Sequence, residues 1–291
     1  MALSRDYYYE VDDRGVLTLN GVVQDDPWFI DFFYRRLAPT ASPHYPDHPY
    51  VSRCGDEMNY LRAADTPIVF TQFDGERLFY AHSLSVPFYP DRLTYNADGV
   101  LYYASPVGGV GRIVPQVAME LSRWVEPWGP FYGFRFPESK RVTPFISLTG
   151  LDRYAVLYPK RDNACVACGA NNPYSLALSF LHDTESGIVS TFVRPDERFQ
   201  GSLGITHGGF VSLLLDECMG KCLSILGLRA PTATLTVNFR QPMQLDEEHE
   251  VRAWIELQQG RKNSVRAEIR RQSDGATIAD GSALFITIGS R

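Results

Sequence analysis

Long apolar runs are missing from this chain. No stretch approaches the roughly 18 to 20 consecutive apolar residues a membrane-spanning helix requires, so no membrane insertion is expected. Basic runs are missing too, and with 28 Lys and Arg against 34 Asp and Glu the net charge is −6. That balance speaks against nucleic acid or an anionic membrane as the main partner. Cysteine is scarce. Five cysteines, an odd number in 291 residues, do not make a disulfide framework and fit a reducing compartment. The opening MALSRDYYYE lacks the apolar core of a signal peptide, which makes a cytoplasmic location the expectation. No internal repeat and no low-complexity segment is visible.

What is present suffices for two cores: 44% of the residues are apolar and 13% aromatic. The predicted fold class is α+β, with a β-rich α+β domain over 1–136, a connector over 137–160 and a second domain over 161–291. In the first domain, YYYEVDDRGVLTLNG reads as a hairpin turning near Gly15. A helix comes next, capped by Asp26 with Pro27 at its first position, and Trp28, Phe29, Phe32, Phe33 and Leu37 form its expected core face. Two more hairpins turn at Asp74-Gly75 and Asp98-Gly99, and a second helix starts about Pro115. EPWGPFYGFRF reads as a closing strand. His44 and His48 lie four apart in a Pro-rich loop, without the regular helix that would aim both at one metal. The densest polar segment, SRCGDEMNYLR, is the best candidate for chemistry in the first half, against the more expected reading of a polar turn. With its Tyr-rich opening, Phe32-Phe33 helix and Cys54-Gly55-x-Glu57-x-Asn59 segment, the region from about 5 to 136 resembles an uncharacterised protein family that brings no activity with it.

In the second half, Cys165-x-x-Cys168-Gly169 invites a zinc or redox reading. No second Cys/His pair stands at ribbon spacing, and the segment after the motif reads as a strand rather than a thioredoxin-like helix, so a structural loop and no metal are expected. Past that loop the period becomes two. Val251, Ala253, Ile255 and Leu257 share one predicted face, as do Val265, Ala267 and Ile269, with charges opposite. A ββαββββ order with one apolar helix and about six strands means an antiparallel sheet wrapped around that helix.

The helix itself carries the chemistry. From Phe210 to Leu226 only Asp216, Glu217 and Lys221 are charged. Glu217 and Lys221, spaced i, i+4, can pair along one wet edge, whereas Asp216 has no local cation. A carboxylate left unpaired in an enclosed helix is costly unless it has a task. His207-Gly208-Gly209 opens the helix, where uncovered backbone N–H groups align with the helix dipole; the N–H of Gly209 or Phe210 is the expected donor to a developing oxyanion.

His-Gly-Gly followed by an acid nine positions after the His resembles the hot-dog-fold acyl-CoA thioesterases, the phenylacetate-type branch in particular. The likeness runs through TLTVNFRQP and covers about residues 155 to 289. It implies an acyl-CoA thioesterase with Asp216 as general base or nucleophile, His207 positioning its loop, and Thr232, ten residues before Pro242, holding the attacking water. Some relatives have an Asn six before the His; here Gly201 stands there, with Gln200 beside it as a possible substitute. The turn holding Gly260, Arg261 and Lys262 is the expected contact for coenzyme A phosphates, with Gly208 close to the substrate. The resemblance further implies a homodimer or dimer of dimers, and no cofactor beyond coenzyme A as part of the substrate. The alternative is a non-catalytic acyl-CoA-binding sensor or scaffold. A hot-dog dehydratase fits this His-to-acid spacing less well.

Overall fold

The computed structural model describes residues 5–40, 46–136, 139 and 141–290. His44 lies outside the described residues. Contacts divide the chain into two compact units, Met1–Val125 with Phe145–Thr149, and Glu126–Pro144 with Gly150–Arg291.

The first unit is built on two six-stranded sheets. The opening strand Arg5–Val11 pairs antiparallel with Leu17–Leu19 on one side and parallel with Glu57–Ala63 on the other. The SRCGDEMNYLR segment is a hairpin and not merely a turn: Tyr50–Cys54 pairs with Glu57–Ala63 around Gly55, whose φ of +67° a residue with a Cβ adopts only under strain. Its Asn59 is buried and donates to the Ser52 carbonyl, so that side chain is spent on the hairpin. The hairpins at Asp74-Gly75 and Asp98-Gly99 form as expected, as do helices Pro27–Arg35, capped by Asp26, and Pro115–Ser122. The aromatic stripe of the first helix divides. Phe33 is fully buried while Trp28 is 70% exposed and stacks on Phe32. The buried side of this helix is made by Asp31, Phe33 and Tyr34.

The second unit is a seven-stranded antiparallel sheet wrapped on the helix Gly208–Ser224. Its order is Tyr154–Leu157, Phe180–Asp183, Val189–Val193, His249–Gln259, Lys262–Arg271, Thr277–Ile286 and Thr232–Phe239. The seventh strand comes from the stretch read as connector. The helix buries Val211, Leu214, Leu215, Cys218, Met219, Cys222 and Leu223, which recur at three- and four-residue intervals, against Val189, Val251, Ala253, Val265, Ala267 and Ile269 of the sheet. On the opposite face Arg252 pairs with Glu268 and Arg266 with Glu256. Leu257 departs from its expected face. A bulge between Ile255 and Leu257 shifts the alternation and leaves Leu257 half exposed. EPWGPFYGFRF forms two strands, Val125–Trp128 and Phe131–Phe134, because Gly129 at φ +57° turns the chain between them. Trp128 packs edge-on against Phe192, and a Cβ at Gly129 would stand 2.2 Å from the same ring.

Candidate active site

The helix start is set by His207. Its backbone is extended, and its Nδ1 accepts the Gly209 N–H at 2.9 Å, so a side chain unusual as an N-cap supplies the acceptor normally provided by Ser or Asp. With Nδ1 accepting, the neutral ring carries its proton on Nε2. The loop before it is tied down twice over. The His207 N–H donates to the Phe199 carbonyl at 2.7 Å, and Gln200 Oε1 accepts the Gly204 N–H at 3.1 Å. At Gly201 a Cβ would come within 3.0 Å of the His207 Cα, which leaves little room for a larger side chain.

These bonds redistribute the backbone donors. The Gly209 N–H points to His207 Nδ1, and the Phe210 N–H donates to the His207 carbonyl at 2.9 Å. Gly208, the first helical residue, is the position whose N–H has no partner among the described residues. Beside it, the Phe239 ring would lie 3.3 Å from a Gly208 Cβ.

Two turns further along, Asp216 is half-buried and meets the residue found by counting back from Pro242: Thr232 Oγ1 donates to Asp216 Oδ1 at 2.7 Å. The helix brings the acid to the sheet edge, and the edge strand Thr232–Phe239 offers the hydroxyl from its first residue. Among the described residues Asp216 therefore has one neutral hydrogen-bond partner, an arrangement that leaves its second oxygen available to a water. At a rise of about 1.5 Å per residue, however, Asp216 lies about 12 Å from Gly208 along the same helix. One small reacting group cannot reach both.

The remaining expected residues lie apart. Gly260 and Arg261 form the two-residue turn between His249–Gln259 and Lys262–Arg271, with Gly260 at φ +58°. Arg261 Nε donates to the Thr287 carbonyl at 2.8 Å, which pins the guanidinium, and Lys262 is exposed next to it. Phe210 stacks on Phe199 with centroids 4.0 Å apart, and both rings line a cleft of about 580 Å³. Leu176, Leu178, Phe192 and Arg198 also line it; Asp216 does not.

Glu217 and Lys221 pair at 3.0 Å, but not along a wet edge. Their side chains are only 17% and 15% exposed because the Cys165–Cys168 loop covers them. The Lys221 pKa is raised: burial alone would lower it, and the Glu217 carboxylate and Cys168 outweigh that effect. Burial pushes the Cys168 thiol up to about 12. A thiol held protonated in this way is a poor nucleophile, which speaks against a redox pair. Sequence reasoning found each half of this cluster without joining them, since Cys165 and Glu217 stand 52 residues apart.

A helix enclosed by an antiparallel sheet, opened by His-Gly-Gly and carrying an acid bonded to an edge-strand hydroxyl, defines a hot-dog domain. Residues 203–278, within the second unit, match the family model described as Thioesterase superfamily. Residues 2–129 match a domain of unknown function, DUF4505. Among curated proteins, the chain is 29% identical over 109 residues to acyl-coenzyme A thioesterase THEM4 of Xenopus laevis, covering 38% of this chain and 49% of that protein. It is 27% identical over 89 residues to THEM4 of Bos taurus, covering 31% and 36%. The match thus spans half or less of these relatives' length. Among solved structures, a thioesterase superfamily protein aligns with a TM-score of 0.37 at 26% identity, over 39% of this chain and 57% of that one. A hypothetical thioesterase with coenzyme A from Streptococcus pneumoniae aligns with a TM-score of 0.35 at 21% identity, over 36% and 84%.

Proposed function

We propose that this protein hydrolyses an acyl-CoA or similar acyl thioester to free acid and thiol. The observation that carries the reading is the Thr232–Asp216 hydrogen bond of 2.7 Å, made two turns along a helix whose first residue, Gly208, has an N–H without a partner among the described residues. Asp216 takes a proton from water as its oxygen adds to the thioester carbonyl; collapse of the tetrahedral adduct expels the thiolate, which regains the proton. Thr232 fixes the carboxylate so that its other oxygen faces the water. Direct attack by Asp216, giving a mixed anhydride that water then opens, uses the same geometry. The Gly208 N–H, at the positive end of the helix dipole, receives the charge on the carbonyl oxygen. Arg261 and Lys262 are suited to coenzyme A phosphates.

The 12 Å between Gly208 and Asp216 means that one site draws on two copies of the chain, Asp216 from one and the helix start from its partner. The edge strand Thr232–Phe239, exposed over most of its length and with Phe239 58% exposed, is the surface that such a homodimer would cover.

Thiol release from short, long and aromatic acyl-CoAs, compared between the wild type and Asp216→Asn, tests the reading. Release that falls about a hundredfold or more in the variant is expected for loss of a catalytic base. Release indifferent to Asp216 would sink its assigned role. Tight acyl-CoA binding without release would instead make the domain a sensor.

A further inference from the structure

The loop Asn163–Gly169 has the form of a metal-binding knuckle. The Ala167 N–H points to Cys165 Sγ at 3.4 Å, and the Gly169 N–H closes the turn on the Cys165 carbonyl at 2.9 Å. Gly169 admits no side chain, because a Cβ would lie 2.4 Å from both the Asn163 carbonyl oxygen and the Cys165 nitrogen. The turn brings both thiols toward the helix. Cys165 Sγ, Cys168 Sγ and a carboxylate oxygen of Glu217 all lie within 4.8 Å of one another, with Cys168 buried and the other two half-buried.

We propose that Cys165, Cys168 and Glu217 form a binding site for a thiolate-preferring divalent cation, zinc above all. Two sulfurs and one oxygen suit zinc in tetrahedral coordination, with water as the fourth ligand. The spacing agrees: Zn–S and Zn–O bonds of ordinary length hold sulfur and oxygen about 3.5 Å apart, and Cys165 Sγ stands 3.7 Å from Glu217 Oε2. The other carboxylate oxygen, Oε1, is held by Lys221 at 3.0 Å, which fixes the plane of the carboxylate. Lys221 Nζ also lies 2.9 Å from Cys168 Sγ, and Asn163 Nδ2 3.4 Å from it, so two N–H donors are in place for a thiolate.

Charge closes as well. Without the ion, two neutral thiols accompany the Glu217 carboxylate and the Lys221 ammonium. With it, the dication replaces two thiol protons, which leave to solvent. The cluster is neutral in both states, so loading adds no net charge to a site closed off by the Cys loop and by Phe180, whose ring centre lies 5.3 Å from Lys221 Nζ. Glu217 follows Asp216 in the helix, but its carboxylate meets Cys165 whereas that of Asp216 meets Thr232, and the proposal does not depend on the thioesterase reading.

Titration of the metal-free full chain with cobalt(II) tests it. One cobalt per chain should bind, with a thiolate-to-cobalt charge-transfer band and ligand-field bands of tetrahedral intensity, and zinc should displace it and bleach both. Cys165→Ser and Cys168→Ser should abolish the charge-transfer band, and Lys221→Met should weaken binding about tenfold or more, the scale of losing a group that orients a ligand. Cys54→Ser, in the other unit, should change nothing. A wild type without the charge-transfer band overturns the proposal whether or not the variants fold, and so does a band that survives in the folded Cys165→Ser/Cys168→Ser double variant.

Discussion

In the proposed mechanism a single N–H, that of Gly208, is what the helix start contributes to the reaction. Proline is tolerated at the first helical position, and His207, with ψ of 134°, already has the extended backbone that a residue before proline prefers. Gly208→Pro should therefore remove the donor while keeping the helix. The expected loss in kcat is about 10²- to 10³-fold, the effect of deleting one oxyanion donor. Gly208→Ala keeps the N–H and only presses on the exposed Phe239 ring, so it should stay within about tenfold of the wild type. Equal losses in the two variants, measured with the same acyl-CoA, would assign the effect to crowding and not to the N–H. Asp216 was legible as an enclosed acid, and Thr232 only through the family resemblance, by counting back from Pro242 without a gap. The choice among Gly208, Gly209 and Phe210 was not. It turns on His207 Nδ1 accepting from Gly209, a side-chain conformation that spacing does not encode.

Elements were readable wherever turn chemistry and periodicity agreed, as in the Asp-Gly hairpins and the Asp26-Pro27 helix start. Faces were less so. Trp28 and Leu257 carry apolar signatures, yet the first is largely exposed because Asp31, Phe33 and Tyr34 form the buried side of its helix, and the second is half exposed because a bulge resets the alternation. Asp31 is the informative case, a carboxylate inside what reads as an aromatic face. It accepts hydrogen bonds from the His82 and Ser83 N–H groups and from the Ser83 hydroxyl, fastening the helix to the turn before strand Leu84–Pro87. Burial alone would raise its pKa; those bonds outweigh burial and hold it below the ordinary 3.8. The stabilisation it gives is thus present above that value and is lost progressively as pH falls from it through the lower value of the folded chain, because the unfolded chain takes up the proton first. Asp31→Asn should cost about 2 kcal/mol at pH 7. Its penalty should shrink as pH is lowered toward 3, which urea midpoints of the two proteins across that range would show; a penalty independent of pH would contradict the assignment.

For the molecule as a whole, composition allowed two cores and the contacts divide into two units, but the division does not follow the change in sequence character. The segment containing Trp128 sits with the second unit because its indole packs on Phe192, and Tyr154–Leu157 extends that unit's sheet. Neither contact is periodic, and so neither could be read in advance. Under the proposed mechanism the 12 Å between Gly208 and Asp216 has the widest consequence, for that mechanism then calls for a site shared between two copies of the chain. Co-expressing Asp216→Asn with Gly208→Pro, each nearly inactive alone, tests this most directly. Random pairing makes half of the dimers mixed, each with one site intact, so thiol release should recover to about a quarter of the wild-type rate. A mixture no more active than its parents, with mixed dimers verified by native mass spectrometry, would contradict a thioesterase site shared between copies.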